Sequence, residues 1–129
     1  MKILIDTQCW LWMTSAPERL SSAAMSLVQD PHSALYLSAA SAWEIAIKYG
    51  LGKLRLPQSP REFVAHWLRQ TRTSPLSITA DHAAYVADLP ALHKDPFDRL
   101  LIAQAALEKV PILTSDPQLR HYDVEVIDA

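Results

Sequence analysis

Four acidic residues stand where chemistry is expected. Asp6 ends the apolar run Ile3-Leu4-Ile5, Glu44 lies in Ser41-Ala42-Trp43-Glu44-Ile45, Asp98 in Asp95-Pro96-Phe97-Asp98, and Asp116 closes Leu113-Thr114-Ser115-Asp116. The chain carries 14 acids in all, too many to interpret singly, so position in the fold must select among them. Two carboxylates about 5 Å apart repel by roughly 3 kcal/mol at an effective dielectric of about 20. Four together either bind protons or require a cation. Hard oxygen donors without a nearby pair of His or Cys ligands favour Mg²⁺, with Mn²⁺ as the alternative, over zinc. The chemistry that follows is metal-assisted attack of water on a phosphodiester, with the leaving oxygen stabilised.

The elements that must position these acids alternate along the chain. Ile3 to Ile5, Leu35 to Leu37, Leu76 to Ile78, Ile112-Leu113 and Val124 to Ile127 read as short strands. Helical patterns lie between them. They run over Leu11 to Met13 and Leu20 to Val28, broken at Pro17, and over Ala39 to Tyr49, with Gly50 as the helix-ending glycine. Ser59-Pro60 opens another, with Phe63, Val64, Trp67 and Leu68 at helical spacing. Thr79 caps a helix through Leu89 that buries Ala83, Val86 and Leu89, and Asp95-Pro96 starts a long helix through Lys109. Strands separated by helices imply parallel crossovers, hence an α/β sheet covered on both faces, as one three-layer domain over residues 1–129. In such sheets ligands gather beyond the carboxyl ends of the strands. Asp6 and Asp116 emerge on that edge, and the helices carrying Glu44 and Asp98 can bring their carboxylates to it.

Each acid also has an ordinary structural use. Asp6 suits a helix cap, Ser41 to Glu44 fits a capping box, and Asp95-Pro96 and Asp116-Pro117 are N-cap and N1 pairs, with Asp98 favoured by the helix dipole. Taken singly, capping outweighs catalysis. Taken jointly, convergence of four acids on one edge is more than capping requires. Asp95 is assigned the structural role.

Composition narrows the remaining classes. Two glycines exclude a glycine-rich phosphate loop, and no apolar run approaches the ~18 residues of a membrane span. A lone Cys9 and an N-terminus entering directly into Ile3-Leu4-Ile5 lead us to expect a cytoplasmic protein with no membrane association. The net charge of −2 gives no global pull on nucleic acid, yet Lys48, Lys53, Arg55, Arg61, Arg69 and Arg72 face one acid, Glu62, in the stretch they span.

The start Ile3-Leu4-Ile5-Asp6-Thr7, the run His93-Lys94-Asp95-Pro96-Phe97-Asp98-Arg99-Leu100-Leu101-Ile102-Ala103-Gln104-Ala105 and Leu113-Thr114-Ser115-Asp116 resemble PIN-domain proteins over essentially the whole chain. The match is to the stand-alone VapC-like toxins of type II toxin–antitoxin systems. That resemblance implies a parallel sheet of order 3-2-1-4-5 and a divalent-metal-dependent ribonuclease acting on RNA. Asp6, Asp98 and Asp116 match the family's metal ligands, and Glu44 matches a residue holding a coordinated water or a second ion. Thr114 or Ser115 would hydrogen-bond the cluster, and Thr7 matches a small hydroxyl residue. A homodimer and a cognate antitoxin are implied as partners, the antitoxin presenting a helix to a groove near the acids.

Two alternatives stay open at this stage: an RNA-processing nuclease of the same fold without antitoxin, and a non-catalytic binding module. Phosphoaspartate chemistry is set aside because Asp6-Thr7-Gln8 lacks the second aspartate of an Asp-x-Asp pattern. The five histidines, His93 among them, are assigned to surface or packing, Arg99 to an exposed helix cation, and Trp43 and Trp67 to core or interface.

Overall fold

The computed structural model describes residues 1–129. Strands β1 (Lys2–Ile5), β2 (Ala34–Ser38), β3 (Thr73–Leu76), β4 (Ile112–Thr114) and β5 (Val126–Asp128) form one parallel sheet in the order β3-β2-β1-β4-β5. Helices α1 (Thr7–Ser15), α2 (Ser22–Gln29), α3 (Ala39–Gly50), α4 (Pro60–Gln70), α5 (Ala80–Tyr85) and α6 (Pro96–Glu108) connect them.

Strand alternation divides the core into two layers. Ile3 and Ile5 pack with Cys9 and Trp10 of α1, Ala24 of α2, Ile45 of α3 and Phe63 of α4. Leu4 points the other way, toward Leu101, Ile102 and Ala105 of α6 and toward Leu119 and Tyr122. Because both faces are covered, the central strands β1 and β4 carry unbroken apolar runs. Each fully buried residue of Ile3-Leu4-Ile5 contributes about 1.5–3 kcal/mol. No helix is long and apolar enough to cross a membrane.

The chain leaves β1 toward β2, whereas β4 pairs on the opposite side of β1. The crevice beyond β1 and β4 is therefore the place where strand order reverses, which is where open α/β sheets collect ligands. Register makes the placement specific. Ile5 pairs with Leu113, and the Asp6 amide donates to the Leu113 carbonyl at 3.0 Å, so Asp6 lies beside Thr114.

Several local expectations change. The strand expected at 76–78 lies at Thr73–Leu76 and contains Pro75; β3 is an edge strand, where a missing N–H is tolerated. The last strand starts at Val126 rather than Val124. Gly50 is the last residue of α3, and the left-handed turn residue is Gly52 at φ +73°. Thr79 does cap α5, in a capping box closed by His82, but α5 ends at Tyr85 and continues as a 3₁₀ turn. His82 is buried against Gln104 in this helix, while Ala83 is exposed. A polar side chain tied to its own cap thus displaces the apolar face expected from spacing.

Candidate functional site

Asp6 is extended and caps α1: its Oδ1 accepts from the Cys9 amide at 2.7 Å, and its Oδ2 accepts from the Thr114 hydroxyl. Burial pushes the Asp6 carboxyl above its ordinary value, against the pull of the Thr114 and Cys9 donors, with the Glu44 charge adding to the rise. Thr114 Oγ1 in turn accepts from the Asp116 amide at 3.0 Å, so one hydroxyl links two of the four acids. The Thr7 hydroxyl donates to Ser41 Oγ at 2.8 Å and ties the start of α1 to α3.

Glu44 is not part of a capping box. The N-cap of α3 is Ser38, whose Oγ accepts from the Ala40 amide at 3.0 Å, so Glu44 falls beyond the first turn and its carboxylate is free of backbone work. The reason is that β2 runs straight into the helix, which begins at Ala39 rather than after Ser41. Glu44 is buried and pairs with Lys48, one turn on, at 2.6 Å. That hydrogen bond, followed by the Glu44, Asp95 and Asp98 charges, holds the Lys48 ammonium above its ordinary value. Lys48 is thus the cation of the basic stretch that reaches the acids.

Asp95 performs the capping assigned to it, accepting at Oδ1 from the amides of Phe97 (2.8 Å) and Asp98 (3.4 Å). Asp98 itself caps nothing. Burial, then the Asp95 charge, and further the Glu44 and Asp6 charges push its carboxyl up to about 7, with His93 pulling the other way. Asp116 accepts from the Gln118 amide at Oδ1 (2.9 Å), so it is at once a cap and a member of the cluster.

His93 belongs to this cluster, contrary to the surface or packing role expected for it. Its Nε2 lies 3.0 Å from Asp98 Oδ2 and 3.1 Å from Asp116 Oδ2. Arg99 is likewise neither a free surface cation nor aimed at the acids: its guanidinium donates to the carbonyls of Pro90 and Val86, each at 2.9 Å. These bonds pin the segment that carries His93. No sequence periodicity marks His93; the one local cue is its place two residues before an N-cap aspartate.

Ligand atoms of His93, Asp98 and Asp116 all lie within 4.8 Å of one another, and Asp6 and Glu44 are close enough to raise the Asp98 carboxyl. A partly buried carboxylate, Asp98, held up to about 7 by burial and then by neighbouring acids, among other carboxylate oxygens, fits a hard divalent cation. Trp43, assigned to core or interface, is 59% exposed and packs edge-on against Phe97 with centroids 5.4 Å apart. Its neighbour Glu44 takes the buried position on α3, which leaves Trp43 on the outer side. A groove of about 180 Å³ beside Glu44, Lys48 and Lys53 adjoins a second of about 280 Å³ lined by Trp12, Pro57, Phe63 and Trp67; Gln8, Leu11 and Leu54 line both.

Residues 3–125 match the PIN domain family. Ribonuclease VapC16 of Mycobacterium tuberculosis is 48% identical over 60 residues, 46% of this chain and 43% of that protein, so the chain spans under half the length of this relative in the match. Ribonuclease VapC22 of the same organism is 29% identical over 123 residues, covering 93% of this chain and 91% of that one. Among solved structures, VapBC2 from Rickettsia felis bound to a DNA fragment from their promoter superposes with a TM-score of 0.75 at 14% identity, over 99% of this chain and 98% of that chain.

Proposed function

The chain belongs to the PIN-domain family, and from that premise we propose that it is a divalent-metal-dependent endoribonuclease acting in the cytoplasm as the toxin of a type II toxin–antitoxin pair. The observation that carries this reading is the arrival of Asp6, Glu44, Asp98 and Asp116, from four separate segments, at the edge where strand order reverses. The named ribonuclease relatives support it.

In this reading Asp6, Asp98 and Asp116 hold Mg²⁺ or Mn²⁺, and Glu44 completes the acidic set. A bound divalent ion supplies Lewis acidity toward the phosphate and makes water a nucleophile at neutral pH. The protein's own residues do the rest. Thr114 aims Asp6 and fixes the backbone of Asp116. Glu44, paired with Lys48 through Oε2, orients the attacking water. The half-exposed Lys48 ammonium offers a charge to the scissile phosphate. Water oxygen would bond to phosphorus and give up a proton to solvent as the bond to the leaving ribose oxygen breaks, that oxygen taking a proton from solvent.

The adjoining grooves suit an antitoxin segment. An amphipathic helix would lay apolar side chains against Trp12, Phe63 and Trp67 and extend a cation toward Glu44. The exposed Trp43, packed edge-on against Phe97, is the apolar surface a second copy would cover.

The test is cleavage of a structured RNA pool by antitoxin-free protein with Mg²⁺, Mn²⁺ or EDTA, alongside Asp98→Asn. Cleavage that needs metal and is absent in the folded variant is expected. Equal cleavage by the variant overturns the assignment of the site, and full activity in a purified antitoxin complex overturns the toxin reading.

A further inference from the structure

His93 makes more contacts to the acidic cluster than any role in packing requires. Its Nε2 sits between two carboxylates that come from different parts of the chain, Asp98 in the first turn of α6 and Asp116 beyond β4. The orientation of the ring is fixed from behind. Nδ1 accepts from the Asp95 amide at 3.1 Å, so that nitrogen has no proton and Nε2 carries it. The ring nitrogen facing the acids is therefore a donor with no lone pair left for a metal ion.

The backbone beneath the ring is held just as firmly. The His93 amide donates to the Tyr122 hydroxyl at 2.7 Å, and Tyr122 is buried. Arg99 anchors the preceding turn through the Pro90 and Val86 carbonyls. A rigid N–H is thus presented to Asp98 Oδ2 and Asp116 Oδ2 together.

We propose that His93 is a positioning residue for the cation: its Nε2–H, shared between Asp98 and Asp116, sets the separation and aim of those two carboxylates from outside the coordination sphere. This rests on the reading of Asp98 and Asp116 as metal ligands. Two mutually repelling acids on separate elements diverge when the cluster is empty unless something bridges them. His93 bridges them without occupying a coordination position, because it uses one oxygen of each; the other oxygen of Asp116 accepts from the Gln118 amide and has a further lone pair for the ion. Hydrogen-bond partners of metal ligands typically change metal affinity by about 10- to 100-fold when removed.

The experiment measures Mn²⁺ binding to the full chain by electron paramagnetic resonance and titration calorimetry, for wild type, His93→Ala and His93→Gln. Gln reaches nearly as far as the imidazole and presents an N–H in place of Nε2–H, but cannot accept from Asp95 in the same ring geometry. His93→Ala should bind Mn²⁺ about 10- to 100-fold more weakly, and His93→Gln should recover most of that loss. Wild-type Mn²⁺ should show no coupling to an imidazole nitrogen. Unchanged affinity in His93→Ala, a Gln variant as weak as Ala, or nitrogen coupling in the wild type each overturns the proposal while leaving the metal site standing. A wild type that binds no Mn²⁺ overturns the proposed function and this inference with it. If His93→Ala does not fold, the Gln affinity and the wild-type spectrum still decide.

Discussion

Replacing Asp98 by Asn removes one negative charge from the cluster and leaves the side chain's size, and its capacity to accept from His93, intact. The native Asp98 carboxyl is raised from 3.8 to about 7, so the folded chain binds that proton more tightly than the unfolded chain does. Its contribution to stability is complete below about pH 4 and is lost as pH rises toward and through 7. At about 1.4 kcal/mol per tenfold change, the rise corresponds at most to roughly 4 kcal/mol. The side chain is 24% exposed, and water reaching it brings the expected figure to about 2 kcal/mol. Metal-free Asp98→Asn should therefore be more stable than metal-free wild type at pH 8, with a melting midpoint higher by roughly 6–10 °C for a chain of this size. The gap should shrink as pH falls toward 4.5. Differential scanning fluorimetry in EDTA across that range measures it. Adding Mg²⁺ or Mn²⁺ should then raise the wild type, by about 2.7 kcal/mol at one hundred times the dissociation constant, and leave the variant where it was. A variant less stable than wild type at pH 8 in EDTA, or a gap that does not change with pH, refutes the account of a charge-crowded site.

Other outcomes follow from the same geometry. Thr114→Val leaves the buried Asp6 oxygen without its donor and should cost about 1–3 kcal/mol in urea unfolding. Metal affinity in the wild type should rise with pH up to about 7 and then level, because Asp98 must release its proton to serve as a ligand; calorimetry in buffers of different ionisation enthalpy counts that proton. On the proposed contact between two copies through this face, Trp43→Ser should leave the far-UV circular dichroism unchanged, since the ring is mostly exposed, yet give a monomer in light scattering where the unaltered chain gives a dimer. A dimer that persists unaltered counts against that face as the contact between copies.

Strands buried on both faces were legible because burial on both faces leaves one kind of signal, the short apolar run, as in Ile3-Leu4-Ile5 and Ile112-Leu113. The Asp-Pro pairs were legible for a local reason: a cap and its N1 proline are neighbours in sequence, so Asp95 and Asp116 announce the turns they start. The capping-box alternative for Glu44 fails because Ser41 offers a good cap on local grounds only, while the strand entering α3 selects Ser38 instead. The strand expected at 76–78 lies earlier because tolerance for the missing N–H of Pro75 depends on whether a strand has a second neighbour, a property of the whole sheet. His93 was misplaced for the same kind of reason. Its environment is made by α6 and Asp116, residues whose proximity no spacing near position 93 encodes.

The Arg99 guanidinium grips mostly main-chain oxygens, its shortest bonds being to those of Val86 and Pro90. A clasp of this kind is indifferent to what the neighbouring residues are, so long as the path of the backbone is kept. The turn ahead of His93 can therefore exchange its outward side chains, Leu92 among them, without loosening the histidine. A lineage carrying this clasp is free to vary the rim of the site, and with it the surfaces the site meets, while the cluster behind the rim keeps its geometry.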